Sequence, residues 1–180
     1  MQGLRGTTIC AVKRDGKIAI AGDGQVTMGE SIVLKGNAKK VRRIFDDKVI
    51  VGFAGSVADA FSLTERFEEM LNKYSGNLMR SAVALAQLWR DDKIARKLDA
   101  MMIVADKSTL LILDGTGDVI EPQDDVCAIG SGGNYALAAA KALKQNTNLP
   151  ANEIAYKALK IASEICVFTN DNIRVEEIGG

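Results

Sequence analysis

Residues 5–12 read Arg5-Gly6-Thr7-Thr8-Ile9-Cys10-Ala11-Val12, two hydroxyl side chains at the head of an apolar run, directly behind a glycine. β-Branched residues are ordinary in strands, so taken alone Thr7 and Thr8 are simply the start of one. An absence changes that reading: none of the 180 residues is a histidine. Without it there is no Ser-His-Asp or Cys-His hydrolysis, no His-ligated zinc, and no access to the commonest general base. A threonine hydroxyl attacks poorly unless a base takes its proton. A free α-amino group, with an ordinary pKa of about 7.7 to 8.0, is one of the few bases left near neutrality. A cut between Gly6 and Thr7, by the chain itself or by another protease, would put hydroxyl and amine on one residue, a known way of activating a nucleophile. Gly6 leaves the peptide to be cut without a neighbouring side chain.

Working outward, residues 8–12 and 17–21 flank an Asp15-Gly16 turn and read as a hairpin. Gly22-Asp23-Gly24 ends the second strand, and residues 31–34, 40–45 and 48–53 read as further strands, the last two joined at Asp46-Asp47. Ser56 and Asp59 form a capping box for a helix whose apolar face is read as Val57, Phe61, Phe67, Leu71 and Tyr74, stopped at Gly76. Leu78, Ala82, Leu85 and Trp89 mark a second helix. Strands follow at 100–105, 110–113, 118–121 and 126–129. Gly130-Ser131-Gly132-Gly133 opens a helix running to about Lys144, and Pro150 starts the last one, with Ile154, Ala158, Leu159, Ala162, Ile165 and Cys166 at helical spacing. Residues 173–178 close as a strand. Strand groups and helix pairs segregate rather than alternate, which predicts α+β layers with antiparallel sheets, not a doubly wound parallel sheet.

Composition narrows the function classes. The chain is 47% apolar and long enough for one core, so one domain is expected. Lys+Arg and Asp+Glu both number 23 and form no block of like charge, so neither nucleic acid nor an anionic membrane is indicated as a partner. The longest apolar run, residues 100–105, is far short of the roughly 20 residues that span a bilayer. The start lacks the apolar stretch of a secretory signal, which predicts a cytoplasmic protein. Cys10, Cys127 and Cys166, odd in number and set among apolar neighbours, read as reduced core thiols.

Thr7-Thr8-Ile9, Gly22-Asp23-Gly24-Gln25, Lys39-Lys40-Val41-Arg42-Arg43, Gly52-Phe53-Ala54-Gly55, Gly130-Ser131-Gly132-Gly133 and Ile165-Cys166-Val167-Phe168-Thr169-Asn170 stand in this order along the chain. Together they resemble the HslV (ClpQ) family, proteasome-like peptidase subunits of bacterial ATP-dependent HslVU proteases, over nearly everything from Thr7 to Glu177. The resemblance implies an N-terminal-nucleophile hydrolase fold, a four-layer αββα sandwich. It also implies a threonine-type endopeptidase in a homo-oligomer, a double hexameric ring of twelve subunits. A hexameric AAA+ ATPase of the HslU type would deliver protein and peptide substrates to it. Some family members begin Met-Thr-Thr, whereas here residues 1–6 precede Thr7, so they are expected to be a leader removed on maturation, leaving 7–180 as one peptidase domain.

Carried over by position, the resemblance makes Thr7 the nucleophile and Lys40 a fixed ammonium that keeps the α-amine neutral by like-charge repulsion. Asp23 would pair with and orient the lysine, the Gly52 N–H would supply the oxyanion hole, and Ser131 would hydrogen-bond near the amine. The segment 30–34 is about one residue longer than the family pattern, and the choice of Lys40 over Lys39 is anchored on Val41-Arg42-Arg43. Asp23 between glycines is otherwise a turn residue. Gly130–Gly133 could cradle a phosphate, but it lacks the endings of nucleotide motifs, and no nucleotide is expected on this chain. The resemblance also implies a sodium ion held by backbone carbonyls at Ser163, Cys166 and Thr169. The sequence by itself reads that region as a helix end with Asn170 in the left-handed conformation. Two other readings stand beside the peptidase: a non-catalytic ring subunit, and an N-terminal-nucleophile amidohydrolase acting on small amides.

Overall fold

The computed structural model describes residues 4–29, 31–91 and 100–180. Its elements, in chain order, are β1 (Leu4–Arg5), β2 (Thr8–Arg14), β3 (Lys17–Gly22), β4 (Val26–Met28), β5 (Ile32–Lys35), β6 (Val41–Ile44), β7 (Val49–Ala54), α1 (Val57–Lys73), α2 (Leu78–Asp91), β8 (Met101–Ala105), β9 (Leu110–Asp114), β10 (Val119–Ile120), β11 (Val126–Gly130), α3 (Gly133–Asn146), α4 (Ala151–Ile165) and β12 (Arg174–Gly179). They form two large antiparallel sheets, β11-β2-β3-β12 and β10-β9-β8-β7-β6, and a small third sheet, β1-β4-β5.

The layers follow from strand alternation. Along β2, Cys10 and Val12 point one way and Ile9 and Ala11 the other, and β3 divides Ala19 and Ala21 from Ile18 and Ile20 in the same manner. One face of this sheet packs on α3 and α4 through small side chains, among them Ala136, Ala140, Ala155, Ala158 and Ala162. The other face meets Val41, Ile50, Ile103 and Leu110 of the second sheet and forms the middle of the sandwich. The second sheet's outer face, with Val49, Val51, Met102 and Leu111, packs on Leu63, Phe67 and Leu71 of α1 and Leu85 and Trp89 of α2. The expected αββα order of layers is therefore the observed one.

Local signals acted as anticipated at several points. Asp15 and Gly16 both take positive φ, 51° and 75°, as a two-residue turn between twisted strands requires. Ser56 Oγ accepts from the Asp59 N–H at 3.2 Å and caps α1. All three cysteines are buried and unpaired, and burial pushes the Cys10 thiol up to about 12 and raises that of Cys127 as well.

Four expectations need correction. β6 begins at Val41 and ends at Ile44, because Phe45, Asp46 and Asp47 all have positive φ and form the turn. Phe61 is 46% exposed and does not share the buried face of α1: six residues separate it from Phe67, which turns it about 120° away. Ile165, at the end of α4, is likewise 55% exposed. Asn170 is not left-handed; α4 instead opens at Cys166, whose φ of −90° and ψ of 118° are extended. Two strands went unforeseen, β1 and β4, which pair antiparallel with Leu4 opposite Met28 and Arg5 opposite Thr27. No helix among the described residues is long and apolar enough to cross a membrane.

Candidate active site

Thr7 immediately precedes β2, Asp23 follows β3, Lys40 precedes β6 and Ser131 follows β11. The sandwich thus brings strand ends from both large sheets to one edge. Thr7 is 8% exposed and Asp23 only 1%. Asp23 spends its carboxylate on four donors: Oδ1 accepts from the Thr8 N–H and from Lys40 Nζ, both at 2.8 Å, and Oδ2 from the N–H groups of Gln25 at 2.9 Å and Asn170 at 3.3 Å. An acceptor-only group with this many donors is a firmly held anion.

The Lys40 side chain is 7% exposed. Its Nζ donates to Asp23 Oδ1, to the Gln25 carbonyl, and at 2.8 Å to the Gly6 carbonyl. Three acceptors at one nitrogen use all the N–H bonds of an ammonium, whereas a neutral amine would leave one acceptor unserved. Burial pulls the Lys40 pKa below the usual lysine range while the Asp23 charge and hydrogen bond pull it back up. Lys39 is exposed, so of the two lysines it is Lys40 that lies inside the site.

The Gly6 carbonyl is shared: Thr7 Oγ1 donates to it at 2.7 Å, opposite the lysine. Gly6 holds φ at 110°, and a Cβ there would stand 3.0 Å from Thr27 Oγ1 and 3.2 Å from the Phe168 carbonyl, so position 6 tolerates a side chain poorly. The glycine-rich turn after β11 wraps the other side of the threonines. The Ser131 N–H donates to the Thr7 carbonyl at 2.8 Å, and the Gly132 N–H to Thr8 Oγ1 at 2.9 Å. Two of the amides that could have cradled a phosphate are thus spent on the threonine backbone and hydroxyl. Ser131 approaches Thr7 through its backbone, and its side chain is exposed. Thr8 Oγ1 also meets Thr169 Oγ1 at 2.7 Å.

Gly52, expected to supply the oxyanion hole, lies within the sandwich rather than on the cleft wall. It sits inside β7, opposite Val41 of β6 and Ile103 of β8, and a Cβ on it would fall 2.7 Å from Ile9 Cγ2 in the middle of the sandwich. The neighbouring Phe53 N–H donates to the Lys40 carbonyl on the β6 side. Successive residues of a strand direct their amides to opposite sides, so the Gly52 N–H points into the ladder with β8. Gly55, just past the end of β7, does line the cleft. A cavity of about 280 Å³ opens at Thr7, walled by Val51, Phe53, Gly55 and Phe61, with Lys35, Lys39, Lys40 and Arg42 as its charged members. Gly55 has φ of 147°, and no hydrogen bond to its N–H is found among the described residues. The signal that distinguishes it is its place beyond the last β7–β8 pair, Ala54 with Met101.

At the end of α4 the last helical bond runs from the Cys166 N–H to the Ala162 carbonyl, and the Cys166 carbonyl accepts the Thr169 N–H at 3.1 Å. No hydrogen bond to the carbonyl of Ser163 or Thr169 is found among the described residues. Unpartnered carbonyls at the negative end of a helix suit a hard cation better than a soft one. The Thr169 hydroxyl is turned to Thr8, and no His/Cys/Asp/Glu group that could hold a metal occurs among the described residues, so such an ion would rest on backbone oxygens.

A family model described as proteasome subunit matches residues 4–178. The ATP-dependent protease subunit HslV of Listeria innocua is 66% identical over 177 residues, 97% of this chain and 99% of the relative. That of Staphylococcus carnosus is 61% identical over 175 residues, 97% and 98% of the two chains. Among solved structures, eukaryotic HslV from Trypanosoma brucei superposes with a TM-score of 0.91 at 45% identity, covering 96% of this chain and 99% of the other. The Thiobacillus denitrificans BPH in complex with epoxomicin has a TM-score of 0.76 at 21% identity, 96% and 98% covered, and shares the fold.

Proposed function

The chain belongs to the proteasome-subunit family, and from that premise we propose that it is the threonine-type peptidase subunit of an HslV-like ATP-dependent protease, cutting unfolded proteins that an AAA+ ATPase of the HslU type delivers. The observation that carries this reading is the shared Gly6 carbonyl: the Thr7 hydroxyl and a buried ammonium meet on the carbonyl of the peptide bond that must open.

In the first event, Thr7 Oγ1 attacks the Gly6 carbonyl carbon while Lys40 stabilises the charge developing on its oxygen. The C–N bond breaks, the hydroxyl proton passes to the departing Thr7 nitrogen, and water hydrolyses the ester left on Oγ1. Thr7 then carries a free amine. In the working cycle that amine takes the Oγ1 proton as the oxygen adds to a substrate carbonyl, and the Gly55 N–H receives the oxyanion. The amine gives the proton to the leaving nitrogen, then helps water to release the acyl group. Lys40, fixed by Asp23, disfavours a second positive charge on the amine and so keeps it able to accept. Ser131 holds the Thr7 carbonyl through its own N–H.

The assembly follows the family: a homo-oligomer, a double hexameric ring with its sites inward, in the cytoplasm. A sodium ion on the Ser163, Cys166 and Thr169 carbonyls would lock the turn whose Thr169 hydroxyl meets Thr8. Peptide hydrolysis with and without the ATPase, on protein beginning at Thr7 and on its Thr7→Ala variant, tests the reading. Turnover is expected only with the threonine. A Thr7→Ala chain of parental activity, or full activity in a chain whose intact mass retains residues 1–6, contradicts it. The first outcome would favour a non-catalytic ring subunit.

A further inference from the structure

Asp23 and Lys40 come from two segments that touch almost without side chains between them. A Cβ on Gly24 would overlap the Gly36 carbonyl, and the Ala38 N–H donates to the Gly24 carbonyl at 2.9 Å. A third segment, after α4, clamps both. Asn170 Oδ1 accepts from the Gly24 N–H at 3.0 Å, its Nδ2 donates to the Gly36 carbonyl at 2.9 Å, and its backbone N–H donates to Asp23 Oδ2 at 3.3 Å. The amide can stand only one way round, because a flip would set two donors and two carbonyls against each other. Asn172 Nδ2 adds a second bond to the same Gly36 carbonyl at 2.9 Å, from an exposed position.

We propose that Asn170 is a positioning residue for the cleavage reaction: its side-chain amide fixes the distance between the Asp23 turn and the loop that carries Lys40. The inference rests on the peptidase reading above, since it assigns Asn170 a part in setting the charge felt by the Thr7 amine. The charged groups around that amine are Lys40 and Asp23 within the site and Lys35, Lys39 and Arg42 on the cavity wall. Of these, Lys40 is the one bonded to Asp23, which Asn170 holds through its backbone N–H, and it lies on the loop that Asn170 anchors at Gly36. Loosening it lets the ammonium retreat from Thr7, so the amine holds its proton to higher pH. The part of the cavity wall formed by Val51, Phe53 and Phe61 lies outside the clamped segment.

The test uses the assembled peptidase with its ATPase, each chain made to begin at Thr7 by cleaving a removable fusion, so that maturation is not a variable. kcat and KM for a fluorogenic peptide are measured from pH 5 to 10 for the parent, Asn170→Ala, Asn170→Asp and Thr7→Ala. Asn170→Ala is expected to lower kcat roughly 10- to 100-fold with KM within about twofold. The acid limb of its kcat profile should move up by about one pH unit. Asn170→Asp keeps the shape and the acceptor for Gly24 but turns an oxygen toward the Gly36 carbonyl, and it should show the same shift. It also serves if the alanine variant fails to assemble. Parental kcat and an unmoved acid limb in the assembled variants would overturn the inference while Thr7→Ala stays inactive. Activity in Thr7→Ala would instead overturn the peptidase reading itself.

Discussion

Replacing Asp23 by asparagine asks one buried group to lose its charge while keeping its shape. In the parent, Oδ1 faces two donors, Thr8 N–H and Lys40 Nζ, and Oδ2 two more, Gln25 and Asn170 N–H. Whichever way the asparagine amide is turned, its NH₂ opposes a pair of donors. Lys40, with a side chain 7% exposed, is left as a buried cation without its anion. Breaking a buried pair from one side costs about 3–5 kcal/mol. For a chain of this length that is a fall in Tm of roughly 6–20 °C. Urea unfolding at fixed protomer concentration reads it through Trp89, the single tryptophan, 1% exposed in the α1–α2 layer. Peptide turnover should fall about 100-fold or more, since Lys40 no longer has a fixed place. The double variant Asp23→Asn, Lys40→Met removes the orphan charge and should regain most of the stability while remaining inactive. An Asp23→Asn protein within about 1 kcal/mol of the parent, with parental turnover, would refute the reasoning.

Gly55→Ala sets a Cβ 2.8 Å from Phe53 Cε1 and 2.9 Å from Ala100 Cβ at φ of 147°, so the strand end must move; kcat is expected to drop about 10²- to 10³-fold, with unchanged kcat returning the oxyanion role to another donor. Gly6→Ala, forced to φ of 110° and against Thr27 Oγ1, should slow release of residues 1–6, followed by intact mass over time. Burial holds Lys40 below its ordinary value of 10.5, so as pH rises toward that value the unfolded chain keeps a proton that the native one has lost. Native stability contributed at this position therefore grows with pH over that interval. Lys40→Met should remove the increment, measured as the parent-minus-variant unfolding free energy as pH is raised toward 10.5.

Much of the sandwich was legible because it is written in local patterns: alternation in β2 and β3, the Asp15-Gly16 turn, the Ser56 cap and the spacing of Leu78, Ala82, Leu85 and Trp89. The Asp23–Lys40 pair was legible through motif order, since no local pattern brings together residues from different sheets. What escaped depends on where strands stop and which way they face. Gly52 and Gly55 are equally glycine, and only the register with β8 says which amide lies in the ladder and which beyond it. Phe61 looks like a core residue until the helical angle to Phe67 is worked out. β4 is three residues long, and its pairing with β1 crosses from one side of Thr7 to the other. Asn170 was read only as a helix-end residue, and its clamping bonds escaped because its partners lie 134 to 147 residues away.

The choice of lysine at position 40 follows from the number of acceptors that converge there. The Gly6 carbonyl, the Gln25 carbonyl and Asp23 Oδ1 approach a single atom from three directions. A tetrahedral ammonium serves all three, whereas a guanidinium spreads its donors over a plane and an imidazolium offers two, pointing apart. If residues 1–6 are removed as proposed, one acceptor goes with them, and the two that remain, both fixed in the frame of β3 and β4, would keep the nitrogen in place. The third N–H, which here donates to the Gly6 carbonyl, would then be directed at the new Thr7 amine. In the proposed maturation, the charge that would draw on the Gly6 carbonyl in the first cut would afterwards oppose protonation of that amine. On that proposal, two requirements that could have demanded two residues would be met by one cation whose anchor at Asp23 and Gln25 need not change between them.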